Sequence, residues 1–222
     1  MSKKNLIKII IIFSIIYIFL QLIIYFLNDT NISRFFWIEH KNIKELIDTG
    51  LPEQSKFKPF IKFISDKHFW LLRTGVIITL ILAIYYKNKN KKIYYFCMNI
   101  FISVILVLII SSGLITWILK IGIGKPRPSA NLDFYLPFSL STRFHSFPSG
   151  HTTETFSYII PFIYFIKKYY VYIFLLAYGI LTAFTRIILA YHYFSDVLFG
   201  IYITSVIGFI ICYIVENSKK KI

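Results

Sequence analysis

Long apolar runs limit this chain more than any other feature. They cover about Ile9–Leu27, Phe69–Tyr86 and Ile93–Leu119, then Ser149 up to Lys167-Lys168, Tyr169–Ala190, and His192 up to Lys219. Crossing the hydrocarbon core of a bilayer takes about 20 such residues. Hydrophobic residues make up 57% of the 222. A soluble domain stays nearer half apolar and could not bury runs this long. The expected fold is therefore all-α and integral to the membrane. It has six transmembrane helices in a single domain over residues 1–222, with no length left for a second large domain.

The formal net charge is +15. The lysines sit mostly in short clusters between the apolar runs, a pattern of membrane topology and attraction to acidic lipid. No nucleic-acid partner is expected, and no protein partner is implied. Lys3-Lys4, the KNKNKK cluster from Lys87 to Lys92, Lys167-Lys168 and Lys219–Lys221 share one side of a six-span arrangement and contain no acids. The positive-inside rule makes that side cytoplasmic, and both termini with it. The longer segment from Asn28 to His68 carries lysines too, so the short clusters decide the orientation. Within it Phe57, Phe60, Ile61 and Ile64 recur at helical spacing among Lys56, Lys58 and Lys62. That is either an amphipathic helix lying in the interface or an extramembrane helix packed on its own core. The run Ile9–Leu27 is too long for a signal-peptide core and precedes Asn28-Asp29-Thr30, so it reads as a retained anchor. Cys97 and Cys212 lie inside apolar runs with no metal spacing and read as packing residues.

Three polar stretches fall on the opposite, outward side. KIGIGKPRP runs from Lys120 to Pro128, FPSGH from Phe147 to His151, and FTRIILAYHYFSD from Phe184 to Asp196. Lys120 and Arg186 are cations at span ends, and Arg127 is a cation in the loop after Lys120. Alone, Lys120 reads as an interfacial anchor and Arg186 as a snorkelling residue. Together the three are what a doubly charged phosphoryl group needs, and the planar guanidinium fork suits it best. Ser149 can cap the helix that follows it, whose N-terminal N–H groups and dipole favour an anion, while Gly150 lets the backbone approach closely. His192 and Asp196 are four apart and would share one helix face. A carboxylate on one imidazole nitrogen fixes the tautomer and leaves the other nucleophilic. Lys125 reads as a solvated loop charge, and Arg143 and His145 as simple loop residues. Glu154, one turn inside a span, is costly there and is a candidate partner to the site.

Read together, K-x6-R-P, then P-S-G-H, then [ST]-R-x5-H-x3-D resembles the tripartite signature of the phosphatidic acid phosphatase type 2 superfamily. That superfamily includes lipid phosphatases, acid phosphatases and vanadium haloperoxidases. The likeness extends from about Ile93 to Glu216, with the motif core at 120–196. Thr185 stands where the third motif usually has serine, so a hydroxyl is kept. The resemblance implies catalytic His192, Asp196 and His151. His192 would attack phosphorus to form a phosphohistidine, Asp196 would orient it, and His151 would protonate the leaving oxygen. Lys120, Arg127, Ser149, Gly150 and Arg186 would bind the phosphoryl oxygens. No cofactor and no metal is implied, and ligand spacings such as H-E-x-x-H are missing.

The expected function is removal of phosphate from a membrane lipid at the periplasmic face of a bacterial inner membrane. The chain looks most like the bacterial lipid A phosphatases, the 4′ branch in particular. Undecaprenyl diphosphate and phosphatidylglycerophosphate are the alternative substrates. An anion or lipid transporter is the rival of another class. It would account for charges at span ends but not for Lys120, Arg127, His151, Arg186, His192 and Asp196 all standing at one signature's spacings.

Overall fold

The computed structural model describes residues 2–36, 61, 63, 65, 69–130 and 132–218. The expected amphipathic helix at Phe57–Ile64 lies largely outside these, as do Lys56 and Lys58. Every regular element among the described residues is helical. Helix α1 (Lys3–Leu27) is followed by the short α2 (Asp29–Phe36), and α3 (Phe69–Tyr86) precedes α4 (Lys91–Val107). A π-helical segment (Leu108–Ile115) leads from α4 into α5 (Thr116–Ile123). Helices α6 (Gly150–Ile166), α7 (Tyr169–Ile188) and α8 (Phe194–Ser218) complete the chain.

Five stretches are long and apolar enough to cross a membrane: α1, α3, the α4–α5 stretch, α7 and α8. Helix α6, where a further crossing was expected, has 17 residues. At 1.5 Å per residue that is about 26 Å, a little under the ~30 Å hydrocarbon thickness. The outer faces are apolar and uncovered: Ile15 and Phe19 of α1 are each 61% exposed and Trp117 of α5 is 62% exposed. Such side chains are stable in hydrocarbon, and the chain is a multi-pass membrane protein.

Helix α6 is the axis of the bundle and packs against α3, α4, α7, α8 and the π segment. Small residues allow the closest approach. Gly200, Thr204 and Gly208 recur every four residues along α8. A Cβ added at Gly208 would stand 2.8 Å from Ile160 of α6, and one at Gly179 of α7 would stand 2.7 Å from Ile159. Between lipid-exposed helices the association comes from such contact and from hydrogen bonds, because lipid tails are as apolar as leucine. Hydroxyls supply those bonds. Ser111 in the π segment meets Thr204 at 2.8 Å. The Thr116 hydroxyl donates to the Ser111 carbonyl at 2.8 Å, beside the Thr116 N–H that the same carbonyl accepts.

The polar loop from Gly124 to Ser149 is docked onto the end of α5. Gly124 closes that helix in the left-handed region at φ 59°. It donates to the Lys120 carbonyl and accepts from the Leu136 N–H at 2.9 Å. A Cβ there would fall 1.9 Å from the Leu136 oxygen, so only glycine fits. Phe138 N–H donates to the Ile121 carbonyl at 2.7 Å.

Candidate active site

The third polar stretch is a turn and not a continuous helix. Helix α7 stops at Ile188, and Ala190 takes a positive φ of 52°. The chain folds back so that Tyr191 and His192 both donate their N–H groups to the Arg186 carbonyl, at 3.1 and 3.3 Å. Helix α8 begins only at Phe194. His192 and Asp196 were expected on one helix face. Only Asp196 is helical; His192 stands in the turn before α8. The Asp196 carboxylate accepts the Tyr193 N–H at 2.9 Å, the reach-back half of a capping box.

The direct His192–Asp196 bond expected from the sequence is not formed. Asp196 Oδ2 is 3.9 Å from His192 Nδ1, too far for a hydrogen bond. The partner of Nδ1 is the backbone carbonyl of Ser146, 2.6 Å away. A carbonyl can only accept, so Nδ1 carries the proton and Nε2 holds the lone pair. Asp196 acts one residue removed: Ser146 Oγ donates to its Oδ2 at 2.5 Å. Ser146 N–H donates in turn to the Lys125 carbonyl at 3.0 Å. Ser146 is fully buried, and nothing in its sequence context singled it out.

His192 is 2% exposed. Burial, and then the positive fields of Lys120, Arg127 and Arg186, hold its pKa well below the ordinary histidine value of 6.5. The imidazole is therefore neutral at physiological pH, and the three cations from two separate stretches surround it.

Each cation is held by the backbone or by a ring. Lys120, in the last turn of α5, donates to the His145 carbonyl at 2.8 Å. A Cβ on Gly150 would lie 3.5 Å from Lys120 Cε, an ordinary contact distance, so the first and second stretches lie against each other here. Arg127 donates its N–H to the Arg143 carbonyl at 2.8 Å. Its guanidinium lies 5.9 Å from the Tyr191 ring centre, and that of Arg186 lies 4.6 Å from the same ring. Both distances allow cation–π attraction. Arg186 is 4% exposed and also donates to Ser65 Oγ. Arg127 Nε is buried with no hydrogen-bond partner among the described residues, a donor available to an anion. Arg143 and His145 thus act through their carbonyls.

Ser149 stands at the N-cap of α6, as expected, but its hydroxyl does not cap the helix. It accepts from Thr152 at 2.9 Å, while Ser149 N–H donates to the Asp196 carbonyl at 3.2 Å. That second bond joins the second stretch to the third. With no side-chain cap, the N-terminus of α6 keeps its positive pole for an anion. His151 lies in its first turn, with its ring 5.4 Å from that of Phe69. Glu154 pairs with Arg73 of α3 at 3.0 Å. Arg73 carried no motif and was not singled out.

Lys125 differs most from its sequence reading. It is not solvated: its side chain is 13% exposed and lies 2.7 Å from Asp196 Oδ1. Among the described residues no cluster of three His, Cys, Asp or Glu side chains is assembled as metal ligands would be, and the site's positive charge comes from side chains.

The family model described as the PAP2 superfamily matches residues 101–220. Over 97 residues the chain is 35% identical to the lipid A 1-phosphatase of Rhizobium johnstonii and to that of Rhizobium etli. Each match covers 42% of this chain, and 39% and 41% of the relatives, so it spans about two-fifths of their length. A solved structure, the first transmembrane PAP2 type phosphatidylglycerolphosphate phosphatase from Bacillus subtilis, aligns over 96% of both chains with 19% identity and a TM-score of 0.44.

Proposed function

The chain belongs to the PAP2 superfamily, and from that premise we propose that it is a membrane phosphatase that hydrolyses a phosphate monoester of lipid A. The observation that carries this reading is the state of His192. It is neutral, its Nδ1–H is committed to the Ser146 carbonyl, and its Nε2 lone pair lies in the field of Lys120, Arg127 and Arg186.

The chemistry follows from those groups. Nε2 attacks phosphorus, the bond from phosphorus to the lipid oxygen breaks, and His151 gives that oxygen its proton. Water then attacks the phosphoryl group on Nε2, His151 takes a proton from the water, and orthophosphate leaves. Lys120, Arg127, Arg186 and the α6 N-terminus at Ser149-Gly150 neutralise the three non-bridging oxygens throughout. Once phosphorylated, His192 is cationic. The Ser146 carbonyl and the Asp196 carboxylate behind it stabilise that cation. No metal enters, so a chelator should leave turnover intact, and vanadate, which mimics pentavalent phosphorus, should inhibit.

The two Rhizobium relatives are named for the 1-phosphate, which favours that position. The 4′-phosphate, favoured by motif resemblance alone, is the second reading. We further propose six crossings with α6 as the shortest, cytoplasmic termini, and a site at the periplasmic face of the inner membrane. The lipid's acyl chains would stay in the bilayer while its head group reaches His192.

The test is a panel of lipid A, undecaprenyl diphosphate and phosphatidylglycerophosphate offered to purified protein, with tandem mass spectrometry to locate the missing phosphate. Loss of the lipid A 1-phosphate is expected. Loss at 4′ would support the second reading, and preference for undecaprenyl diphosphate would move the function to carrier-lipid recycling. Binding of lipid without any phosphate release would favour the transporter.

A further inference from the structure

We infer that Asp29, outside the region the PAP2 family model matches, is a positioning residue that sets the charge Asp196 presents to His192, acting through Lys125. The inference rests on the phosphatase reading above. It concerns a residue 167 positions from Asp196, with helices α3 to α7 between them in sequence.

The geometry begins at the N-terminus of α8, whose first N–H groups need acceptors. Asp196 takes that of Tyr193. The other two acceptors come from α2. Ser33 Oγ accepts the Phe194 N–H at 3.0 Å, and Asp29 Oδ1 accepts the Ser195 N–H at 3.1 Å. Asp29 Oδ2 also accepts the Ser195 hydroxyl at 2.5 Å. The fold delivers Asp29 there because Asn28, at φ 61°, turns the chain between α1 and α2.

Lys125 completes the arrangement. An ammonium has three hydrogens. Lys125 Nζ lies 2.7 Å from Asp196 Oδ1, 3.3 Å from Asp29 Oδ2 and 3.1 Å from Ser195 Oγ. All three hydrogens have acceptors within the protein. Lys125 is therefore not one of the phosphate-binding cations, although it lies in the same short stretch as Lys120 and Arg127. It is a strut between two carboxylates.

The charges explain why a second carboxylate is needed. A buried Lys125–Asp196 pair alone would be neutral and would do little for a cation on His192. Asp29, sharing Lys125, leaves the group of three with one net negative charge. That charge faces the imidazolium that forms when Nε2 takes the phosphoryl group. It acts on the step and not on substrate binding, which belongs to Lys120, Arg127, Arg186 and the α6 N-terminus.

The test compares Asp29→Asn, Lys125→Met and the double variant in purified full-length protein. It measures kcat and KM on lipid A, the binding constant for orthovanadate, and the melting temperature. Asn keeps an oxygen for the Ser195 N–H, so Asp29→Asn retains the cap while losing the charge. We expect it to lower kcat about 10-fold, with KM and vanadate affinity changed less than about twofold. Lys125→Met leaves Asp29 and Asp196 unbridged and repelling, which pulls Asp196 off Ser146, so it should lower kcat about 100-fold through lost positioning. The double variant restores the net charge of the group, so its loss should stay below the product of the two single losses. Lys125→Arg should recover most of the activity and serves if the methionine variant does not fold. Losses that multiply, or an Asp29→Asn variant with a lower melting temperature and an unchanged kcat, would overturn the inference while leaving the phosphatase reading in place. Wild-type protein inert toward every phosphorylated lipid would overturn both.

Discussion

At the scale of single residues, the decisive feature is that a backbone carbonyl, not a carboxylate, fixes the His192 tautomer. This changes what Asp196 is expected to do. In a triad where the acid bonds the imidazole directly, replacing it with the amide costs about 10⁴ in kcat because the tautomer inverts. Here the Ser146 carbonyl stays in Asp196→Asn. The loss should be smaller, about 10–100-fold, and should appear in kcat with KM nearly unchanged. A loss as large as that of His192→Ala would mean that the carboxylate bonds the imidazole during turnover. The pH profile gives a second check. The folded pKa of His192 is depressed, so the neutral, nucleophilic form persists as pH falls through 6.5. Corrected for ionisation of the substrate phosphate, the acid limb of kcat/KM should lie below 6.5, and a limb at or above that value would contradict a buried, cation-ringed His192. The motif residues themselves were legible in the sequence, because cations, a glycine and imidazoles at fixed spacings leave a pattern. Ser146 and Lys125 were not. The role of Ser146 lies in a carbonyl that every residue has, and Lys125 looks solvated until Asp29, 96 positions away, is brought to it.

At the scale of elements, apolar length and bounding lysines foretold the helices closely. The expected run Phe69–Tyr86 is helix α3 to the residue, and the run expected from Tyr169 is α7. The π segment at Leu108–Ile115 was hidden, because its Ser111-Ser112-Gly113 stretch reads as ordinary small residues in a span. The segment is tied down by one tertiary bond, from the Ser111 hydroxyl to Thr204, and by one local bond, from the Thr116 hydroxyl to the Ser111 carbonyl. The break between α7 and α8 was expected at Tyr191, but the turn is wider, from Leu189 to Tyr193, and leaves His192 outside both helices. The α6–α8 seam yields a prediction of its own. Gly208→Val would drive a side chain against Ile160, where a Cβ alone would stand 2.8 Å from Cγ2. Overpacking of this kind costs about 1–3 kcal/mol, so the melting temperature in detergent should fall. An unchanged melting temperature would show that α6 and α8 pack more loosely than described. Activity should fall only to the extent that the shift reaches Ser149 and Asp196, which the same two helices hold together.

At the scale of the whole molecule, three stretches far apart in sequence meet at one end of the bundle, the end away from the short lysine clusters. The α5 terminus brings Lys120, the α6 terminus brings Ser149 to His151, and the α7–α8 turn brings Arg186 and His192. In the orientation proposed above, the lysine clusters at Lys87–Lys92 and Lys167-Lys168 would be cytoplasmic and that end would face outward. A reporter after Ile222 should therefore read as cytoplasmic and a tag near Gly50 as external. A cytoplasmic tag at Gly50 would invert the orientation and put the chemistry on the wrong side for an outer-face lipid. The most direct measurement of the central claim joins the chemistry to the bilayer. Protein reconstituted in vesicles containing lipid A is quenched during turnover without acid, and the peptide carrying His192 is examined by mass spectrometry while orthophosphate is counted. The expected result is a phosphoryl group on His192, with both the adduct and the orthophosphate absent in His192→Ala. Orthophosphate released by His192→Ala at the wild-type rate would contradict it.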